Sequence, residues 1–134
     1  VTAWNPIDAD KMALLPCFHG FQLLIHGNHL NLLVNMRSSD VMVGLPSDIL
    51  FHALLMLVLS NELDITPHKL IFNLGDAHIY NNHLQFARTV HELEIFNPPT
   101  VKLNYQAGID NIYNNDFIIS SYKHNAAQKL KVNV

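Results

Sequence analysis

Three short stretches hold the residues whose types could do chemistry. The first is "LPCFHGFQ", around Cys17. A thiolate is a strong nucleophile when a cation or a helix N-terminus lowers its pKa. A single cysteine among apolar residues also packs readily as a small hydrophobe. The second stretch is "RSSD", Arg37 to Asp40. An arginine followed by two hydroxyls at a strand end can hold a phosphate, although the same residues also suit a solvated turn. The third is "GDAHIYNNH", Gly75 to His83. His78 and Tyr80 alternate on a possible strand and so offer two hydrogen-bonding groups to one ligand. A fourth position is Asp48, an acid two residues past Pro46 at the mouth of an apolar run. Ser47 or Asp48 could cap a helix there, or Asp48 could read a ligand.

Elements must bring these stretches together. Residues 1–16 read as loop. "FHGFQLLIHG" and "HLNLLVNM" are apolar runs around Gly27-Asn28 and predict a hairpin. "SDILFHALLMLVLSNELDI" is apolar nearly all round, which predicts a buried core helix. "KLIFNLGDAHIY" reads as a strand broken at Gly75-Asp76. "NNHLQFARTVHELE" has the spacing of an amphipathic helix, ended by Pro98-Pro99. "TVKLNY" and "DFIISSY" read as short strands around the turn-like "QAGIDN", and the tail is polar. Strands and helices mix without βαβ alternation, so the fold class expected is α+β.

Bulk composition narrows the function. The 134 residues suit a single domain over 1–134 with a real core. Hydrophobic residues make up 49% and charged residues 14%, a low charged share that predicts burial of apolar surface against another chain or segment. The 8 basic residues are scattered and net charge is −3, so no nucleic-acid groove is expected. One cysteine excludes an internal disulfide and suits a reducing compartment. The opening residues lack the charged and apolar regions of a signal peptide. The longest apolar run, Ile49 to Leu59, is short for a bilayer span. The expected setting is therefore cytoplasmic, with no membrane partner. Nine histidines invite a metal, but there is no HExxH and no second cysteine, so no metal is expected.

"WNPIDADKMALLPC", "RSSDVMVGLP" and "GDAHIYNNHL", in this order and at these spacings, resemble the thymidylate synthase family. The resemblance spans the chain and about the C-terminal half of the family's fold. It implies a thymidylate synthase-like mixed sheet with a buried central helix. It also implies that the N-terminal half lies outside these residues, with a phosphate-binding arginine, a catalytic glutamate and a tryptophan, so that this chain alone is expected to be inactive. By resemblance, Cys17 is the nucleophile that adds to C6 of a pyrimidine. Arg37 and Ser38 bind the 5′-phosphate, and His78 and Tyr80 hold the sugar 3′-hydroxyl. Asp40 bonds the pterin of 5,10-methylenetetrahydrofolate, the co-substrate. Gly44 lets the backbone approach the ligand, and Tyr122 begins the closing tail. His83 is expected to be structural. A homodimer is the implied assembly.

Departures from the family pattern sharpen the reading. Phe18 replaces the usual histidine after the nucleophile, and His19 faces the other way on a strand. Met36 stands for a usual glutamine, and the tail lacks proline. Asp48 stands where the family has asparagine. An amide selects uracil, whereas a carboxyl that shares a proton suits the amino group and bare N3 of cytosine. Asp48 thus resembles the deoxycytidylate hydroxymethylase branch known from T-even-type bacteriophages, in which water captures the exocyclic methylene to give 5-hydroxymethyl-dCMP. That is the activity expected, in the host cytoplasm if phage-encoded. The alternatives are a divergent thymidylate synthase acting on dUMP, a CMP hydroxymethylase, and an inactive or nucleotide-binding remnant.

Overall fold

The computed structural model describes residues 1–104 and 108–131. They group into two compact units, Val1–Tyr80 and the residues from Asn81 onward.

The first unit is built on a three-stranded sheet. β1 (Phe18–His26) and β2 (His29–Asp40) form the expected hairpin, with His26 opposite His29. Gly27 adopts φ 56°, the left-handed conformation that a two-residue hairpin loop asks of its first residue. β3 (Thr66–His78) pairs with β2 in parallel. The strand order is β1-β2-β3, so β2 is central and the sheet is mixed. Parallel neighbours need a crossover, and the helix α2 (Gly44–Glu62) supplies it. Before the sheet, Pro6–Ala9 form one short helix, α1, capped by the Asn5 side chain, inside the stretch expected to be loop.

Alternation along β2 creates the core. Leu30, Leu32, Val34 and Met36 all point to one face, where they meet Met56 of α2. Phe18, Phe21, Leu23, Leu70, Phe72 and Leu74 from the flanking strands pack around them.

Two expectations about these elements need correction. Gly75-Asp76 does not break β3: the strand runs through to His78. A side chain at Gly75 would put its Cβ 2.5 Å from the Arg37 carbonyl oxygen. Glycine here permits close pairing of two strands rather than a turn. The helix α2 is buried on one side only. His52, Met56 and Ser60 recur every four residues and face inward with Val58, while Ile49, Leu50 and Phe51 are exposed by 44%, 52% and 60%. With 19 residues and a mean hydropathy of 1.3, α2 is long and apolar enough to cross a membrane, which the shorter run counted in the sequence is not.

The second unit contains the helix α3 (Leu84–Thr89), flanked by single 3-10 turns at Asn81–His83 and Val90–Glu92. β4 (Thr100–Leu103) and β5 (Phe117–Ser120) pair antiparallel, as the sequence predicts. Tyr105, expected at the end of the first of these strands, and Gln106-Ala107 of the expected turn lie outside the described residues. His83 is buried, and its Nε2–H donates to the Lys131 carbonyl at 2.8 Å. Asn82 donates to the same oxygen at 3.1 Å. His83 thus anchors the tail, in keeping with its structural reading.

Candidate active site

The candidate residues of the first unit converge because of sheet topology. β2 and β3 are parallel, so their C-terminal ends lie together, and β1 is antiparallel, so its start joins them. Cys17 immediately precedes β1, Arg37 to Asp40 end β2, and His78 ends β3. The helix α2 leaves from the same end of the sheet.

Cys17 is exposed and its thiol is free. Its carbonyl accepts from the Arg37 amide at 2.8 Å, which fixes the backbone at Cys17 to the arginine's strand. The half-buried Arg37 guanidinium reaches back to the loop before Cys17. Its Nε donates to the Leu15 carbonyl at 3.0 Å, and Nη2 donates to the same oxygen. The arginine therefore clamps the loop before Cys17 through its side chain as well as its main chain.

Ser38 lies opposite Asp76 across the parallel ladder, and its hydroxyl is 3.4 Å from both the carbonyl and a carboxylate oxygen of that residue. His78 pairs with Asp40, and its carbonyl accepts from the Val41 amide at 3.0 Å. Its Nδ1–H donates to the Asp76 carbonyl at 3.2 Å, with the Asp76 carboxylate 3.4 Å away. The His78 and Tyr80 rings meet edge to face with centroids 5.1 Å apart, so the two do share a side of the chain.

The turn from β2 into α2 brings three more candidates together. The Asp40 carboxylate accepts from the Met42 amide at 3.1 Å, a local bond that bends the chain into the helix. A Cβ added at Gly44 would lie 3.6 Å from Asp40 Cβ and 3.9 Å from an Asp48 carboxylate oxygen. Those are ordinary contacts, so Gly44 is set between two acids without being demanded by the protein's own packing.

Asp48 is not a cap. The helix begins at Gly44, four residues before it, its cap position is Val43, and neither Ser47 nor Asp48 occupies the helix end. Pro46 misled the reading: it sits in the first turn, where a missing amide hydrogen costs nothing, rather than ahead of the helix. Burial pushes the Asp48 carboxyl above its ordinary 3.8, and neighbouring His52 pulls it partly back. A carboxyl that keeps its proton more readily can donate as well as accept.

His52 is the residue that sequence reasoning missed. It is 1% exposed, and its Nδ1 lies 2.7 Å from the Asp48 carbonyl. Phe18 packs against its ring at 4.8 Å. His19 faces the other way, toward Trp4, at 5.4 Å, as alternation on a strand requires. The only available signal was the four-residue spacing from Asp48 inside an apolar helix.

Tyr122 belongs to the second unit. It is 65% exposed, its ring tilts toward His124 at 5.5 Å, and it follows Ser121, which has φ 60°. The other eight candidates belong to the first unit. Among the described residues, no group of three or more histidine, cysteine or acidic side chains is placed to hold a metal ion.

Comparison with known proteins agrees with this geometry. The chain is 35% identical over 134 residues to a thymidylate synthase of Staphylococcus haemolyticus, covering 100% of this chain and 42% of that protein. It is 37% identical over 109 residues to one of Mycoplasma genitalium, covering 81% of this chain and 38% of that protein. Its fold matches thermostable thymidylate synthase A from Bacillus subtilis with a TM-score of 0.91 and 29% identity, covering 98% of this chain and 48% of that one. The chain thus spans less than half the length of these relatives. The sequence profile described as thymidylate synthase matches residues 1–134, every residue of the sequence, and the chain belongs to the thymidylate synthase family.

Proposed function

We propose that this chain is the nucleotide-gripping half of a one-carbon transferase that acts at C5 of a pyrimidine nucleoside monophosphate, its two units forming one catalytic domain. One observation carries the reading: the Arg37 amide bonds the Cys17 carbonyl, at the sheet end where Asp40 and His78 also pair. Cys17, Arg37 and His78, read as nucleophile, phosphate ligand and sugar ligand, thus share one end of one sheet.

The Cys17 thiolate adds to C6 of the base, and the electron pair displaced onto C5 makes that carbon a nucleophile. Arg37 and Ser38 bind the phosphate, and the arginine's charge favours the thiolate. His78 and Tyr80 hold the sugar hydroxyl. Asp40, with Gly44 open beside it, meets the folate, and Tyr122 is read as a further folate contact. The 5,10-methylenetetrahydrofolate co-substrate supplies the one-carbon unit. C5 bonds to the folate methylene and loses its proton, the methylene parts from the folate nitrogen, and hydride from the folate or a water captures it as Cys17 departs and restores the ring.

The relatives named thymidylate synthase favour dUMP as the substrate and a methylated product. Asp48 favours a second reading, hydroxymethylation of dCMP. Its desolvated carboxyl accepts from the cytosine amino group and shares a proton with N3, a pattern the family's usual amide does not offer.

The test is release of tritium from C5-labelled dUMP and dCMP by this chain joined to the N-terminal half of a family relative, with methylenetetrahydrofolate. Release that depends on Cys17 supports the reading. Formation of dihydrofolate, seen as an absorbance rise, assigns methyl transfer. A hydroxymethyl product with unoxidised folate assigns the second reading. No release from either nucleotide refutes both.

A further inference from the structure

His52 has no role in the reaction just described, yet it occupies the best-buried polar position near it. The ring is 1% exposed and meets three phenyl rings edge-on: Phe18 of β1 at 4.8 Å, Phe51 of its own helix at 5.0 Å and Phe72 of β3 at 5.5 Å. Its Nε2 is buried with no hydrogen-bond partner. Packing alone does not account for an imidazole here, because a phenylalanine fills similar volume without an unpaired nitrogen.

The imidazole adds one thing that a phenyl ring lacks. Its Nδ1 lies 2.7 Å from the Asp48 carbonyl oxygen, which only accepts, so Nδ1 carries the proton. In an α-helix that same carbonyl also takes the amide of residue 52. Asp48 is therefore held twice by one residue, once by the main chain and once by the ring. The ring in turn rests on Phe18, which directly follows Cys17. One side chain thus spans the distance between the turn that presents the Asp48 carboxyl and the strand start that presents the nucleophile.

We infer that His52 is a positioning residue for base selection: its Nδ1–H fixes the Asp48 turn, and its ring contact with Phe18 sets that turn relative to Cys17. The inference rests on the reading of Asp48 as the residue that meets the base edge. Phe18 and Asp48, the two departures from the family pattern that flank the site, are on this account physically joined through His52.

Two variants separate its parts. His52→Phe keeps ring volume and removes the donor; His52→Asn keeps a donor near the Nδ1 position and removes the ring. Nitrogen-15 NMR of the purified protein is expected to show the His52 proton on Nδ1; a proton on Nε2 alone overturns the inference without reference to any substrate. In nucleotide titrations, His52→Phe is expected to narrow the preference between dCMP and dUMP by about tenfold, the scale of one hydrogen bond, while Asn restores most of it. A His52→Phe protein that loses both nucleotides in equal proportion, or keeps the parental preference, refutes the positioning role. Asp48→Asn is the control: if it shifts the preference and His52→Phe does not, only the His52 inference fails. If Asp48→Asn shifts nothing, the base-edge reading of Asp48 fails and takes the inference with it.

Discussion

Arg37 and Asp48 show how much depends on single groups. Arg37 uses two guanidinium nitrogens on one carbonyl, a planar grip that lysine does not reproduce. Arg37→Lys is expected to weaken phosphate binding by about 1.5–3 kcal/mol, the worth of a charged hydrogen bond, and to loosen the Cys17 loop. Isothermal titration with nucleoside and nucleotide checks this, because only the nucleotide's affinity falls. Asp48 gives a pH signature. Its folded-state pKa is raised, so ionisation costs more in the folded protein than in the unfolded chain. Its contribution to stability is whole below about its ordinary 3.8 and is lost as pH rises through the raised value. Asp48→Asn is therefore expected to gain stability relative to the parent as pH rises through that window, with little difference in strong acid. Urea melts at a series of pH values measure it, and a difference that shrinks with rising pH contradicts the assignment.

At the level of elements, the hairpin, the two short second-unit strands and the mixed α+β class were legible because alternation and turn residues are local signals. The candidate residues were legible too, as motifs in order. Three things were not. The start of α2 was misplaced because Val43 offers no capping side chain and Pro46 reads equally well before a helix or inside its first turn. The continuity of β3 was hidden because glycine marks both turns and close strand contacts, and only the Arg37 carbonyl on the neighbouring strand distinguishes them. His52 was invisible because its partners come from two distant strands and a backbone oxygen. The glycine contact makes a prediction. Gly75→Ala forces β2 and β3 apart beside Arg37 and is expected to cost about 1–3 kcal/mol, the range for overpacking, read from denaturant midpoints. An alanine protein as stable as the parent contradicts the close contact.

Over the whole first unit, the fold divides α2 into an inner face that closes the core and an outer face of Ile49, Leu50 and Phe51 that does not. An exposed apolar surface of this kind suits contact with another chain or segment. Leu50→Lys is expected to change stability by no more than about 0.5 kcal/mol, as an exposed substitution does, read from denaturant midpoints. The order of pairing has a different consequence, in time rather than space. Arg37 and Cys17 are joined within a hairpin, whereas Val41 and His78 are joined only when the crossover brings parallel strands together. Local pairs close first and distant ones later, because the longer loop forfeits more chain entropy before any contact forms. In pulse-labelled refolding the Arg37 amide gains protection before that of Val41. Cys17 and Arg37 are therefore born as one early unit, and His78 is added to them afterwards.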